Sequence, residues 1–309
     1  MGRFRMAASC TNWIALALVS AIGCAAPHGV RAIRAEAASL RPLVRTALAQ
    51  RYVDAAARLP TVATRTVVVD GKARVVDEEY YYTTRYGTPL AYARPLELLA
   101  RAGFDDVAGR RIVDFGYGGI GQLLTLASLG ADVTGVDVDP LLRAIYADRD
   151  GRFGAGALRT VDGRWPADAP VRDAVGGGYD LFVSKNVLKR GYIHPSQPVD
   201  DKKMIKLGVD DEGFLRAVFA LLKPGGRMLI YNLAPAPAPK GKPYIPWADG
   251  RSPFARELFE HVGFRVVAFE VDDTAAARAM AHALGWDRGA DAMDLSRDLF
   301  AQYTLVERP

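Results

Sequence analysis

Residues 111–121, RIVDFGYGGIG, constrain this chain more than any other stretch. A short β-branched and aromatic run carrying one acid, Asp114, leads straight into Gly116, Gly118, Gly119 and Gly121. Such a run reads as a buried strand, and the glycines after it let the backbone turn sharply with no Cβ to hold a ligand away. Residues 122–129 then read as a helix and 132–136 as a second strand that ends at Asp137. Strand, glycine turn, helix and strand in that order make a parallel α/β unit with the turn at the carboxyl edge of its sheet. Asp137, at the tip of the second strand, is placed to accept hydrogen bonds from ribose hydroxyls.

By spacing alone, Gly116-x-Gly118-x-x-Gly121 fits a dinucleotide fingerprint. Two features argue against a nicotinamide enzyme. Asp114 would set an extra negative charge against an incoming pyrophosphate, and no second glycine-rich βαβ half follows. The ordered set of motifs instead resembles the class I S-adenosylmethionine-dependent methyltransferases. Residues 113–121 (VDFGYGGIG) are similar to their first motif and 135–139 (GVDVD) to their second. Residues 160–163 (TVDG) resemble the acidic loop after the third strand, 179–188 (YDLFVSKNVL) the fourth-strand motif, and 222–230 (LKPGGRMLI) the turn into the fifth. The resemblance spans roughly residues 85–309.

That resemblance implies a Rossmann-like, seven-stranded, mostly parallel sheet flanked by helices, closed by a final antiparallel strand. It implies S-adenosylmethionine as the methyl donor. Asp114 would then lie near the methionyl amino group, and the turn of Gly116, Gly118 and Gly121 would pass close to the methionyl and ribose parts. Asp137 would take the ribose diol. Asp162 would accept from the adenine amino group, with the Gly163 backbone beside the ring. Taken singly, Asp137 and Asp162 read equally well as ordinary strand-end or turn aspartates.

Methyl transfer is an in-line displacement at carbon, and much of its rate comes from alignment of donor and acceptor. A hydroxyl or carbon acceptor needs a base as well. The amide- and amine-methylating branch carries an Asn-Pro-Pro-aromatic signature after the fourth strand; here Ser184-Lys185-Asn186-Val187-Leu188 stands in its place. That departure argues against nucleobase or protein-amide acceptors and is closer to the small-molecule methyltransferases. Residues 189–195 (KRGYIHP) lie where an acceptor should approach. His194 is the first candidate base, because its reference pKa lies near neutrality, although a plain surface histidine accounts for it too. Tyr192 and Lys185 are secondary candidates, and Lys185 and Arg190 are alternatively candidates to hold an anionic substrate. No histidine–carboxylate group has the spacing of a metal site.

Elsewhere, Asp70-Gly71 between two β-branched runs predicts a hairpin. Tyr80, Tyr81, Tyr82, Tyr86 and Tyr92 follow within thirteen residues, as packing with polar tips or as the lining of a ligand entrance. Pro89 opens a helix over 90–102 that Gly103 ends. The proline-rich stretch 234–246 (APAPAPKGKPYIP) reads as an ordered loop at the carboxyl edge of the sheet. A helix over 253–262, a strand over 264–271, a helix over 274–284 and a strand over 299–306 complete the pattern.

Residues 1–60 hold eight arginines against Glu36 and Asp54, a net of +6, so the rest of the chain carries −1 of the total +5. The positive charge is thus gathered at the amino end, where a membrane surface explains it at least as well as a nucleic acid. Residues 7–27 lack charge, and the basic start with a short apolar core reads as a secretory leader. The only cysteines are Cys10 and Cys24, and residues 20–24 (SAIGC) resemble a bacterial lipoprotein signal, with a lipid on Cys24. An uncleaved anchor, ordinary cleavage or a later start are the other readings of the same stretch. Residues 30–60 form a basic stretch with Leu40, Val44, Ala47, Ala55 and Leu59 at helical spacing, packed on the body or, through the segment 31–58, lying on a membrane.

The expected layout is a leader over 1–24, a basic helical segment over 25–60, a hairpin with its lead-in helix over 61–104, and the methyltransferase-like domain over 105–309. The leader points to the cell envelope, whereas the implied donor is made in the cytoplasm. Two functions stay open at this point: methyl transfer to a small molecule, or an envelope-anchored binding or scaffolding module that keeps the fold without transfer.

Overall fold

The computed structural model describes residues 29–83, 87–289 and 292–309. The expected leader, with Cys10 and Cys24, and Tyr86 lie outside the described residues. Among the described residues, no helix is long and apolar enough to cross a membrane.

Two helices, Val30–Leu40 and Ala47–Ala56, open the described chain where one stretch of helical spacing was expected. Pro42 has no N–H to give to a continuing helix, so the first ends before it. The Thr46 hydroxyl accepts the Ala49 N–H at 3.4 Å and starts the second. Ile33, Leu40, Leu48, Tyr52 and Val53 are buried in the same apolar cluster as the main body, while Arg31, Arg34, Arg45, Arg51 and Arg58 stay exposed. The segment therefore packs on the body with its basic face outward.

Strands β1 (Arg65–Val69) and β2 (Lys72–Val76) form the predicted hairpin. Asp70 and Gly71 sit at φ 50° and 71°, the two positive values that a tight two-residue turn demands. The main sheet comprises β3 (Arg111–Phe115), β4 (Asp132–Asp137), β5 (Gly151–Phe153), β6 (Gly156–Asp162), β7 (Tyr179–Lys185), β8 (Leu222–Ala234), β9 (Arg265–Asp272) and β10 (Phe300–Glu307). Their order is β5-β6-β4-β3-β7-β8-β10-β9. Seven of these strands give the expected mostly parallel sheet, with β10 antiparallel to both neighbours. The short β5 adds an eighth strand, antiparallel to β6 at the edge. Strand β8 runs beyond the expected 227–232 on both sides, because β7 and β10 pair along its length.

Adjacent residues of one strand point to opposite faces. Ile112, Leu181 and Val183 face one apolar layer with the amino-terminal helices, Ala93–Arg101, Gly121–Ser128 and Thr274–Ala283. Val113, Phe115 and Phe182 face the other, with Ala169–Val175, Asp211–Leu221 and Arg256–Val262. The chain winds outward from β3 through β4 to β6, then returns to β7 on the other side of β3. That reversal is the switch point of an open α/β sheet, where the carboxyl ends of the strands leave a crevice.

Candidate active site

Two elements reach the crevice first: the glycine turn after β3 and the segment that leaves β7. Gly116 and Gly118 adopt φ 72° and 62°, a region that disfavours side chains. A Cβ on Gly116 would also come within 2.3 Å of Val187 Cγ2, so the turn and the β7 exit pack directly on each other. A Cβ on Gly121 would meet the Pro89 ring at 2.9 Å, which brings the lead-in helix against the start of the helix Gly121–Ser128.

Asp137 ends β4 and is half-buried. Its Oδ1 accepts the N–H groups of Val138 at 2.8 Å and Asp139 at 3.0 Å, and its Oδ2 accepts the Gly118 N–H at 3.1 Å. Burial raises its carboxyl above the ordinary value in spite of these bonds. In the parallel register Asp137 lies opposite Asp162, the last residue of β6. Asp162 is exposed and paired with Arg143 at 3.2 Å. The Gly163 N–H donates to the Asp137 carbonyl at 2.9 Å, and a Cβ on Gly163 would strike Val171. Gly118, Asp137, Asp162 and Gly163 are thus gathered at one edge.

Asp114 is wholly buried. The Tyr92 hydroxyl donates to its two oxygens at 2.8 and 3.0 Å, and Gln122 Nε2 donates to Oδ2 at 3.3 Å. Burial pushes its carboxyl up to about 7, while these donors and the nearby Lys185 pull it down. Lys185 ends β7 with Nζ 5.4 Å from the Tyr92 ring centre, and burial lowers its ammonium to about 8. Tyr52 supports this arrangement from the amino-terminal helices, its hydroxyl donating to the Pro89 carbonyl at 2.8 Å. In the tyrosine cluster, Tyr81 and Tyr82 are packed, with the Tyr82 hydroxyl on the Pro60 carbonyl at 2.6 Å, and Tyr92 alone of these bonds to Asp114.

Past β7, Asn186 adopts φ 66° and its Oδ1 accepts the Leu233 N–H at 2.7 Å. Lys189 is buried, and its Nζ donates to the carbonyls of Leu233 and Trp247. Burial, with Lys185 adding to it, lowers the Lys189 ammonium to about 7. Tyr192 is half-buried, its ring 5.8 Å from Lys189 Nζ, and burial pushes its hydroxyl up to about 12. Arg190 is exposed, its N–H on the Arg251 carbonyl at 2.9 Å. His194 is exposed and held by Asp211, with Nε2 2.8 Å from Oδ2. The fold therefore brings Lys185 near Asp114 across Tyr92, sets Tyr192 beside Lys189, and leaves His194 and Arg190 on the surface.

Sequence reasoning missed Tyr92 and Gln122 as partners of Asp114, and missed Lys189. Lys189 carried a signal, a lysine directly after the apolar pair Val187-Leu188. The others depend on contacts between distant segments. Among the described residues, no group of three or more histidine, cysteine or acidic side chains could hold a metal ion.

No family model matches the chain. A demethylmenaquinone methyltransferase of Tropheryma whipplei is 28% identical over 123 residues, 40% of this chain. The matched stretch spans 41% of that relative's length. Among solved structures, a Haemonchus contortus phosphoethanolamine N-methyltransferase is similar with 16% identity and a TM-score of 0.46, over 75% of this chain and 56% of its own. An S-adenosylmethionine-dependent methyltransferase of Mesorhizobium loti is similar with 20% identity and a TM-score of 0.39, over 71% and 98%. The 4+2 cyclase SpnF is similar with 16% identity and a TM-score of 0.42, over 92% and 98%.

Proposed function

We propose that this chain transfers a methyl group from S-adenosylmethionine to a small-molecule acceptor. The observation that carries the reading is the row of groups at the strand ends around the switch point: Gly116 and Gly118 after β3, Asp137 after β4, Asp162 after β6 and Lys185 after β7. The 123-residue likeness to a demethylmenaquinone methyltransferase supports it.

The residues present fit the donor. A carboxylate offers about four acceptor sites, and Asp137 fills three of them with backbone N–H groups, leaving room for a ribose hydroxyl. Asp162 offers an exposed carboxylate on the lip beside it, for the adenine amino group. Gly116 and Gly118 present backbone without side chains. Asp114 is buried behind Tyr92 and Gln122 and acts through them and Lys185.

Bound S-adenosylmethionine supplies a methyl carbon whose bond to sulfur breaks, both electrons leaving on sulfur, as a lone pair of the acceptor takes the carbon. Tyr92 and Tyr117 are buried beside Asp114 and the glycine turn, and Val187 packs on Gly116. A hydroxyl acceptor must also lose its proton. Lys185, at the end of β7 with an ammonium lowered to about 8, is one group able to exchange a proton near neutrality.

Titration of S-adenosylhomocysteine into the full chain by calorimetry tests the reading. Binding that weakens roughly tenfold or more in Asp137→Ala, with an unchanged circular dichroism spectrum, supports it. Absence of heat with the unaltered chain overturns it. On the strength of residues 7–27 alone, we propose separately that Cys24 carries a lipid. Palmitate labelling that persists in Cys24→Ser would refute that.

A further inference from the structure

We infer that the cavity beyond the end of β8 binds a small hydroxylated aromatic anion; resting on the methyl-transfer reading above, that ligand is the acceptor. The cavity measures about 680 Å³ and lies between the proline-rich loop and Ser196, Gln197 and the start of β10. That volume suits a small organic molecule.

Its floor holds a polar atom with no partner. Asn232 is 2% exposed, and its Nδ2 donates to the carbonyls of Leu188 at 2.8 Å and Gly250 at 3.0 Å. These two bonds fix the amide, since the opposite orientation would face oxygen with oxygen. Oδ1 is left buried without a hydrogen bond. The Tyr244 hydroxyl, on the loop, is buried without a partner as well. So is Oε1 of Gln302, which lies opposite Asn232 in the β8–β10 register. An unpaired buried polar atom is costly, and here three residues that carry such atoms line one cavity. A ligand hydroxyl can donate its one hydrogen to Asn232 Oδ1 or Gln302 Oε1 and accept from the Tyr244 hydroxyl.

The rim sets the charge. Lys240 and Lys242 are exposed on the loop, and Arg251 is held in a two-point pair with Asp249 at 2.8 and 2.7 Å. Three cationic side chains line the cavity against one carboxylate, which favours an anion. Pro235, Pro237, Ile245 and Phe300 supply apolar walls that suit a flat ring.

The cavity is joined to the glycine turn through the β7 exit. Val187 packs on Gly116, the next residue Leu188 accepts the Asn232 amide, and Lys189 fastens β8 to the loop through the Leu233 and Trp247 carbonyls. The floor residue Asn232 is thus tied to the segment that packs on the glycine turn.

The probe is 4-hydroxybenzoate, titrated into the full chain beside benzoate and phenol. The inference expects 4-hydroxybenzoate to bind roughly tenfold or more tightly than either comparison compound. Lys240→Ala with Lys242→Ala should weaken 4-hydroxybenzoate about tenfold and leave phenol unchanged. Tyr244→Phe should weaken 4-hydroxybenzoate and leave benzoate unchanged. No binding at millimolar concentration, or equal affinity across the variants, overturns the inference. S-adenosylhomocysteine titrated into the same samples separates the two readings. Its binding without that of 4-hydroxybenzoate overturns the pocket alone, and the reverse result overturns the ligand's role as acceptor.

Discussion

Asp114→Asn should flatten the pH dependence of this protein's stability below neutrality. The Asp114 carboxyl is wholly buried, and burial raises it from 3.8 to about 7. Its folded value lies above its unfolded one, so the folded chain keeps a proton that the unfolded chain has released. Stability from this group is fully present below the unfolded value and is lost as pH rises through the folded one. A gap of about 3 pH units amounts to about 4 kcal/mol, of which about 2–3 kcal/mol disappears between pH 5 and pH 7.5. Lys185 works in the opposite sense at higher pH. Its ammonium is lowered from 10.5 to about 8, so the unfolded chain holds the extra proton and stability climbs with pH across that window. Urea unfolding of the native chain and Asp114→Asn at about pH 5 and about pH 7.5 measures the difference. Glu36, raised to about 7 by burial, contributes a slope of the same sign to both proteins and cancels in the comparison. Equal loss of stability in the two proteins would refute the assignment of a high-pKa carboxyl to Asp114.

Gly116→Ala should lose about 2–5 kcal/mol in thermal or urea unfolding, from positive φ and contact with Val187, and Val187→Ala in the same chain should restore the contact part. Unchanged stability, or no recovery in the double variant, would contradict the close approach. Asp273→Asn should cost about 1–3 kcal/mol, because it breaks the bidentate pair that holds Arg94, with the Tyr231 hydroxyl alongside, and leaves Glu97 at 3.7 Å as its carboxylate partner. Leu48→Ala should cost about 2–5 kcal/mol, since Leu48 is 1% exposed in the main core; a neutral result would mean that the basic amino-terminal segment does not depend on that packing.

The sheet was legible because each of its motifs is local. A β-branched run, a turn of glycines and an acid at the next strand tip are all visible within thirty residues, and Asp137, Asp162 and Gly163 do come together at one edge. Asp70-Gly71 fixed its hairpin for the same reason, since a two-residue turn needs only its own two φ angles. Strand β5 was not legible, because three residues paired only with β6 leave no periodicity to read. The surroundings of Asp114 were hidden for a different reason. Tyr92 and Lys185 lie 22 and 71 positions away along the chain; the packing of the lead-in helix on Gly121 brings in the first, and the pairing of β7 with β3 the second. His194 shows the converse: a residue type suited to proton transfer, in a suitable segment, that pairs with a surface carboxylate.

Tyr52 on Pro89, and Tyr92 on Asp114, form a relay of buried phenols from the first sixty residues to the first strand of the main sheet. The recognisable signatures all begin later, at residue 111. A fragment cut at the first signature would retain every diagnostic residue yet lose the brace behind its innermost acid. Transplanting that fragment into another protein would carry over the vocabulary of the site without its grammar.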